Sequence, residues 1–63
     1  MRRLLRWAVS ALEEAGIESA QLDAELLLAY ALGLSRTQLY AQLDRALDVP
    51  TEEGFQALVN RRL

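Results

Sequence analysis

Residues 20–32 read Ala-Gln-Leu-Asp-Ala-Glu-Leu-Leu-Leu-Ala-Tyr-Ala-Leu, with charged and amide side chains only at Gln21, Asp23 and Glu25. A helix that is apolar nearly all round has to be buried by its neighbours, so this segment is expected to be the central helix of the fold. Two corners of similar composition bound it, Gly16-Ile17-Glu18-Ser19 before and Gly33-Leu34-Ser35 after. In each, a Gly supplies the left-handed position that ends a helix, and the apolar residue after it folds back on the last turn. The Ser that follows is placed to accept a hydrogen bond from the first free amides of the next helix. Asp23 and Glu25 lie near the start of the central segment, where the helix dipole favours negative charge by roughly 0.3–1 kcal/mol each.

The remaining elements fall around that helix. In residues 2–15, Leu4, Leu5, Ala8, Ala11, Leu12 and Ala15 recur at three- and four-residue spacing and make one apolar stripe. Arg3, Arg6, Ser10, Glu13 and Glu14 fall on the opposite face. A third helix opens with Ser35-Arg36-Thr37-Gln38, a capping box in which Gln38 returns a bond to the Ser35 amide. It turns Leu39 and Leu43 inward and frays by Asp44. Residues 44–50 leave room for a single turn around Leu47. A last helix starts between Asp48 and Thr51, either of which suits its cap, and buries Phe55, Leu58 and Val59. Gly54 inside it costs roughly 1 kcal/mol relative to Ala, and Arg61 and Arg62 suit its C-terminal end. Fourteen Leu and ten Ala against one Pro and three Gly agree with this pattern. The expectation is an all-α fold: one small compact domain, residues 1–63, with four or five helices around a buried central one.

Little chemistry is open to such a chain. It has no Cys, His or Lys, hence no thiolate, no imidazole proton shuttle and no Schiff-base amine. Its adjacent acids, Glu13/Glu14 and Glu52/Glu53, point about 100° apart on a helix rather than converging on one cleft. No glycine-rich phosphate loop occurs. No catalytic, cofactor-binding or metal-ligating residue is therefore assigned. The longest apolar run, residues 26–32, is seven residues long, too short to cross a bilayer, and the basic N-terminus lacks the long apolar region of a signal peptide. A cytoplasmic monomer is expected. With seven Arg against nine acids, the net charge of −2 lacks the basic footprint of a nucleic-acid binder.

The first helix carries the candidate partner surface. Arg2, Arg3 and Arg6 sit at its positive end and Glu13 and Glu14 at its negative end, the unfavourable order for the macrodipole. That order fits a surface shaped for a partner, although surface charges are often energetically indifferent. Trp7 lies at the edge of the apolar stripe, as a lid over the rim of the core or as part of a contact with Arg3 and Arg6. Trp and Arg are both enriched at interface hot spots. Arg3, Arg6 and Trp7 are accordingly the partner-contact candidates.

Two resemblances follow from longer stretches. Leu32-Gly33-Leu34-Ser35-Arg36-Thr37-Gln38-Leu39-Tyr40 is similar to the turn and recognition helix of Fis-type helix-turn-helix domains, which would make Arg36, Thr37 and Gln38 readers of base edges. Only Arg36 and Arg45 are basic between residues 16 and 60, however, few for a phosphate-binding face. A second resemblance spans the whole chain. Residues 16–29 resemble the signature of the N-terminal helical domain of the HemK/PrmC family. They are followed at the family's spacing by Leu-Gly-Leu-Ser-Arg-Thr-x-Leu, here residues 32–39, and by Phe-x-Ala-Leu-Val-x-Arg-Arg, here residues 55–62. The family pattern has Pro and then a basic residue after the capping Ser, where this chain has Ala20 and Gln21, and a helix former where it has Gly54.

The resemblance implies a helical substrate-recognition domain of an S-adenosylmethionine-dependent methyltransferase that modifies a glutamine of peptide chain release factors. Its partners would be the release factor and its own catalytic domain. The family's cofactor loop and Asn-Pro-Pro-Tyr motif are not in these residues, so the cofactor is expected for the parent enzyme and none for this chain. A helix-turn-helix module and a partnerless helical bundle suited to folding studies are the alternatives.

Overall fold

A computed structural model describes all residues, 1–63. It contains four α-helices and no strand: α1 (Arg2–Glu14), α2 (Ala20–Leu32), α3 (Arg36–Ala41) and α4 (Val49–Arg62). The central helix is α2, which touches each of the other three; α1 and α4 also pack together, whereas α3 rests on α2 alone. No fifth helix forms. Residues 42–44 turn, and residues 45–48 connect to α4 without regular structure.

Both glycine corners close in the same way. Gly16 and Gly33 have φ of 84° and 69°, the left-handed region that a side chain disfavours. At the first corner the Gly16 amide donates to the Glu13 carbonyl at 2.9 Å and the Ile17 amide to Leu12 at 3.1 Å. At the second, Gly33 donates to Tyr30 at 3.2 Å and Leu34 to Ala29 at 2.9 Å. These are paired Schellman bonds, which satisfy carbonyls that a helix end leaves free.

The helix starts differ. Ser35 is extended (φ −77°, ψ 167°) and its hydroxyl accepts from the Gln38 amide, while the Gln38 side chain accepts from the Ser35 amide, a complete capping box. Ser19 occupies the equivalent position before α2 but at φ −89°, ψ 31°, and its side chain caps nothing. Asp48 precedes α4 without a side-chain cap either. Pro50 stands in the first turn of α4, where a missing N–H costs nothing.

The core is one cluster: Leu5, Ala8 and Leu12 from α1; Ala20, Ala24, Leu28 and Ala29 from α2; Leu39 from α3; Phe55 and Val59 from α4. The small Ala side chains let the helix backbones approach, and Phe55, Leu12, Leu28 and Leu39 fill the space between. Leu43 and Leu47 pack against this cluster from the α3–α4 connection. One expectation fails in an instructive way: α2 is not covered all round. Leu22, Leu26 and Tyr30 are 42%, 48% and 78% exposed.

Candidate interaction surface

The outer face of α1 holds the three side chains singled out from the sequence, and its neighbours divide them. Arg2 is engaged: its Nε donates to Asp44 Oδ1 at 2.6 Å, tying the start of α1 to the turn after α3. The Met1 amine adds a bond to the Arg45 carbonyl at 2.8 Å. Arg3 and Arg6 form no ion pair. Trp7, 40% exposed, meets Phe55 of α4 edge to face, with ring centroids 6.4 Å apart and planes at 74°. One edge of the indole thus closes the core and the other is free.

Two open clefts flank α1. Arg3 and Trp7 share the first with Met1, Leu4, Glu52 and Gln56, along the line where α1 meets α4. Arg6 lines the second with Arg2, Leu5, Val9, Ser10, Glu13 and Gln21, where α1 meets α2. The structure therefore brings Arg3 and Trp7 together and puts Arg6 on the other flank. An aromatic edge, a guanidinium free of ion pairs, a carboxylate and an amide in one cleft are the groups that hold a peptide segment by apolar contact and hydrogen bonds. They offer no nucleophile with a base beside it.

A third polar feature was not foreseen from the sequence. Glu25 is almost completely buried, and its carboxylate is surrounded by donors. Arg36 reaches Oε1 through Nε at 3.2 Å and Nη2 at 2.7 Å, and Gln21 Nε2 reaches Oε2 at 2.7 Å. The Tyr40 hydroxyl also donates to Oε2. Burial by itself pushes the Glu25 carboxyl up. The hydrogen bonds from Tyr40, Gln21 and Arg36, with the guanidinium charge, outweigh it and hold the group below the usual glutamate range. Arg36 is correspondingly held more firmly protonated by its bond to Glu25.

These contacts add to the helix-dipole account of the two acids in α2, of which Asp23 lies in the first turn. Glu25 is a tie to α3, and Asp23 is a tie to α4 through Arg62, with Nη2 to Oδ2 at 3.0 Å. Gln21, a departure from the HemK/PrmC pattern, is one of the donors. The four-residue spacing from Gln21 to Glu25 was the available signal; the partners on α3 were not. The same bonds bear on the helix-turn-helix alternative. Two of the three side chains it would turn toward bases are used internally, Arg36 on Glu25 and Gln38 on the Ser35 amide.

No group of three or more His, Cys, Asp or Glu side chains is placed to hold a metal ion, and no helix is long and apolar enough to cross a membrane. The residues present do not fit S-adenosylmethionine. Gly16 and Gly33 are spent on helix ends, Gly54 lies within α4, and there is no strand-to-helix turn whose amides would cradle the cofactor.

Comparison with known proteins agrees with the architecture. The family model described as the PrmC N-terminal domain matches residues 3–63. Among curated relatives, the release factor glutamine methyltransferase of Rhodopirellula baltica is 42% identical over 60 residues, 95% of this chain and 20% of that protein. Those of Geobacter sulfurreducens and Shewanella oneidensis are 40% and 47% identical, over 98% and 92% of this chain and 22% and 20% of theirs. The chain thus spans about a fifth of the length of the relatives it matches. No solved structure matches it. A match that runs through both glycine corners, the capping box and the last helix leaves one conclusion: the chain belongs to the PrmC N-terminal domain family.

Proposed function

We propose that this chain is the substrate-recognition domain of a cytoplasmic, S-adenosylmethionine-dependent protein-(glutamine-N5) methyltransferase acting on peptide chain release factors. Residues 1–63 form one domain in this reading, and methyl transfer belongs to a separate catalytic domain. The cleft shared by Arg3 and Trp7 between α1 and α4 carries the proposal. The relatives matched over nearly the whole chain are named release factor glutamine methyltransferases, which supplies the partner. The role of the domain is to hold the release factor while the catalytic domain acts on its glutamine. Arg3 and Trp7 make one contact, and Arg6 extends it across α1.

The test is steady-state methylation of release factor by the full-length enzyme carrying Arg3→Ala, Arg6→Ala or Trp7→Phe. Phe keeps an aromatic ring against Phe55 while removing the indole N–H and part of its surface. A hot-spot contact is worth about 1–2 kcal/mol, so KM for release factor is expected to rise roughly 5- to 30-fold with kcat little changed. A KM unaltered in all three variants removes the recognition role. The 63-residue chain alone is expected to show no S-adenosylmethionine binding by calorimetry, and tight binding would overturn the division into domains.

A further inference from the structure

We propose that the open side of α2, formed by Leu22, Leu26 and Tyr30, is the face on which the catalytic domain of the same polypeptide docks. The inference rests on the reading above that this chain is one domain of a longer enzyme. It concerns a different surface from the Arg3–Trp7 cleft.

Helix α2 has neighbours on three sides only. Glu25 binds Arg36 and Tyr40 and so places α3 along one flank, while Asp23 binds Arg62 and places α4 along another. At 100° per residue, Leu22, Leu26 and Tyr30 project into the sector between those flanks, at four-residue intervals that make a continuous strip about two turns long. Helices α3 and α4 do not touch each other, so nothing in the fold closes over it. The result is a helix with apolar residues on every side and a cover on three. A strip of this kind, with ion pairs along both edges, has the layout of an interface core with a polar rim.

The occupant follows from size, position and charge. Three partly exposed side chains offer on the order of a few hundred Å² of apolar surface. That is well below the roughly 800 Å² per partner of a stable complex between separate molecules, which disfavours a second copy or a freely diffusing protein. A covalently attached domain needs far less, because a short linker holds it at an effective concentration near the millimolar range. The position agrees: the Arg62–Asp23 pair pins the last turn of α4 beside Leu22 and Leu26, and the exposed Leu63 follows directly. In relatives about five times longer than the matched segment, whose matching part is an N-terminal domain, the polypeptide continues beyond this point. The strip carries no charge, and a tethered partner needs no electrostatic steering. Of the four Arg free of ion pairs, Arg3 and Arg6 are on α1, Arg45 lies in the connection after α3 and Arg61 is in the last turn of α4.

The experiment compares the full-length enzyme with its Leu26→Lys/Tyr30→Lys variant by limited proteolysis of the segment after residue 63. Release of the docked domain is expected to speed cleavage about tenfold or more. The same substitutions in the 63-residue chain replace exposed residues with a good helix former, and its melting temperature is expected to stay within about 4 °C. An unchanged cleavage rate in the full-length enzyme overturns the proposal. So does unchanged cleavage combined with a raised KM for release factor, which assigns the strip to the substrate. A concentration-dependent dimer in sedimentation that the variant abolishes, with cleavage unaltered, also overturns it. Failure of the recognition reading is seen separately, as an unaltered KM in the Arg3, Arg6 and Trp7 variants, and leaves the cleavage result standing.

Discussion

Two Arg–carboxylate pairs in this molecule have almost the same length and opposite surroundings. Arg36 to Glu25 measures 2.7 Å and Arg2 to Asp44 2.6 Å. The Glu25 side chain is 2% exposed, with two further donors on its oxygens, while the Asp44 side chain is 86% exposed. Distance alone would rank them equal. What separates them is the state each carboxylate returns to when its partner is removed: Asp44 returns to water, and Glu25 stays dry. The buried pair therefore fixes the fold locally, holding α3 on α2 with help from little besides Leu39 and its neighbours. The exposed pair only decorates the start of α1.

The largest test of that contrast is Glu25→Ala, which removes the acceptor for three side chains. Because Arg36 and Tyr40 are partly exposed and regain water, no buried charge is stranded, and the loss expected is that of the hydrogen bonds to the carboxylate, about 3 kcal/mol in urea unfolding. The same site sets the acid response. The folded-state pKa of Glu25 lies below its unfolded value, so the stability it adds is present above about pH 4.3 and is lost as pH falls through the lower folded value. Glu25→Gln is expected to flatten that part of the stability curve measured from pH 6 to 2.

Next in size is Tyr40→Phe. It leaves the ring and removes one donor, at about 1 kcal/mol, in the same unfolding assay. Smallest is Asp44→Ala, expected to leave the urea midpoint almost where it is and to be indistinguishable from the parent in 1 M salt, where screening acts over about 3 Å. If Asp44→Ala equalled Glu25→Ala, burial would not be what distinguishes the two pairs.

The helix count, the central role of α2 and the core residues Leu39, Phe55 and Val59 were legible because they follow from periodicity and glycine stops, which act within a few residues. Ser19 and Ser35 show where that stops working. Both follow a left-handed Gly and precede a helix, but Glu18 adds one residue to the first corner, and Ser19 is not in the extended conformation its hydroxyl needs to reach a free amide. Composition specifies who can cap, not the backbone angle that permits it. The Glu25 site was hidden because its donors come from three places in the chain, and only the packing of α3 brings two of them near.

The surface was legible to a similar degree. Arg3, Arg6 and Trp7 are neighbours on a helical wheel, yet α4 and α2 lie on opposite sides of α1 and sort them into different clefts. The open sector of α2 could not be read at all, since an apolar segment says that it needs cover and nothing about whether this domain supplies it.

Trp7 is the chain's only tryptophan, and its place against Phe55 makes it a spectroscopic reporter as well as a contact. Its fluorescence watches the junction of α1 with α4 from inside and the cleft from outside. Separation of α4 exposes the indole and moves emission to the red, while a peptide settling over its free edge moves it to the blue. A single optical signal therefore distinguishes loss of the fold from arrival of a partner by the direction of its shift, without an added label.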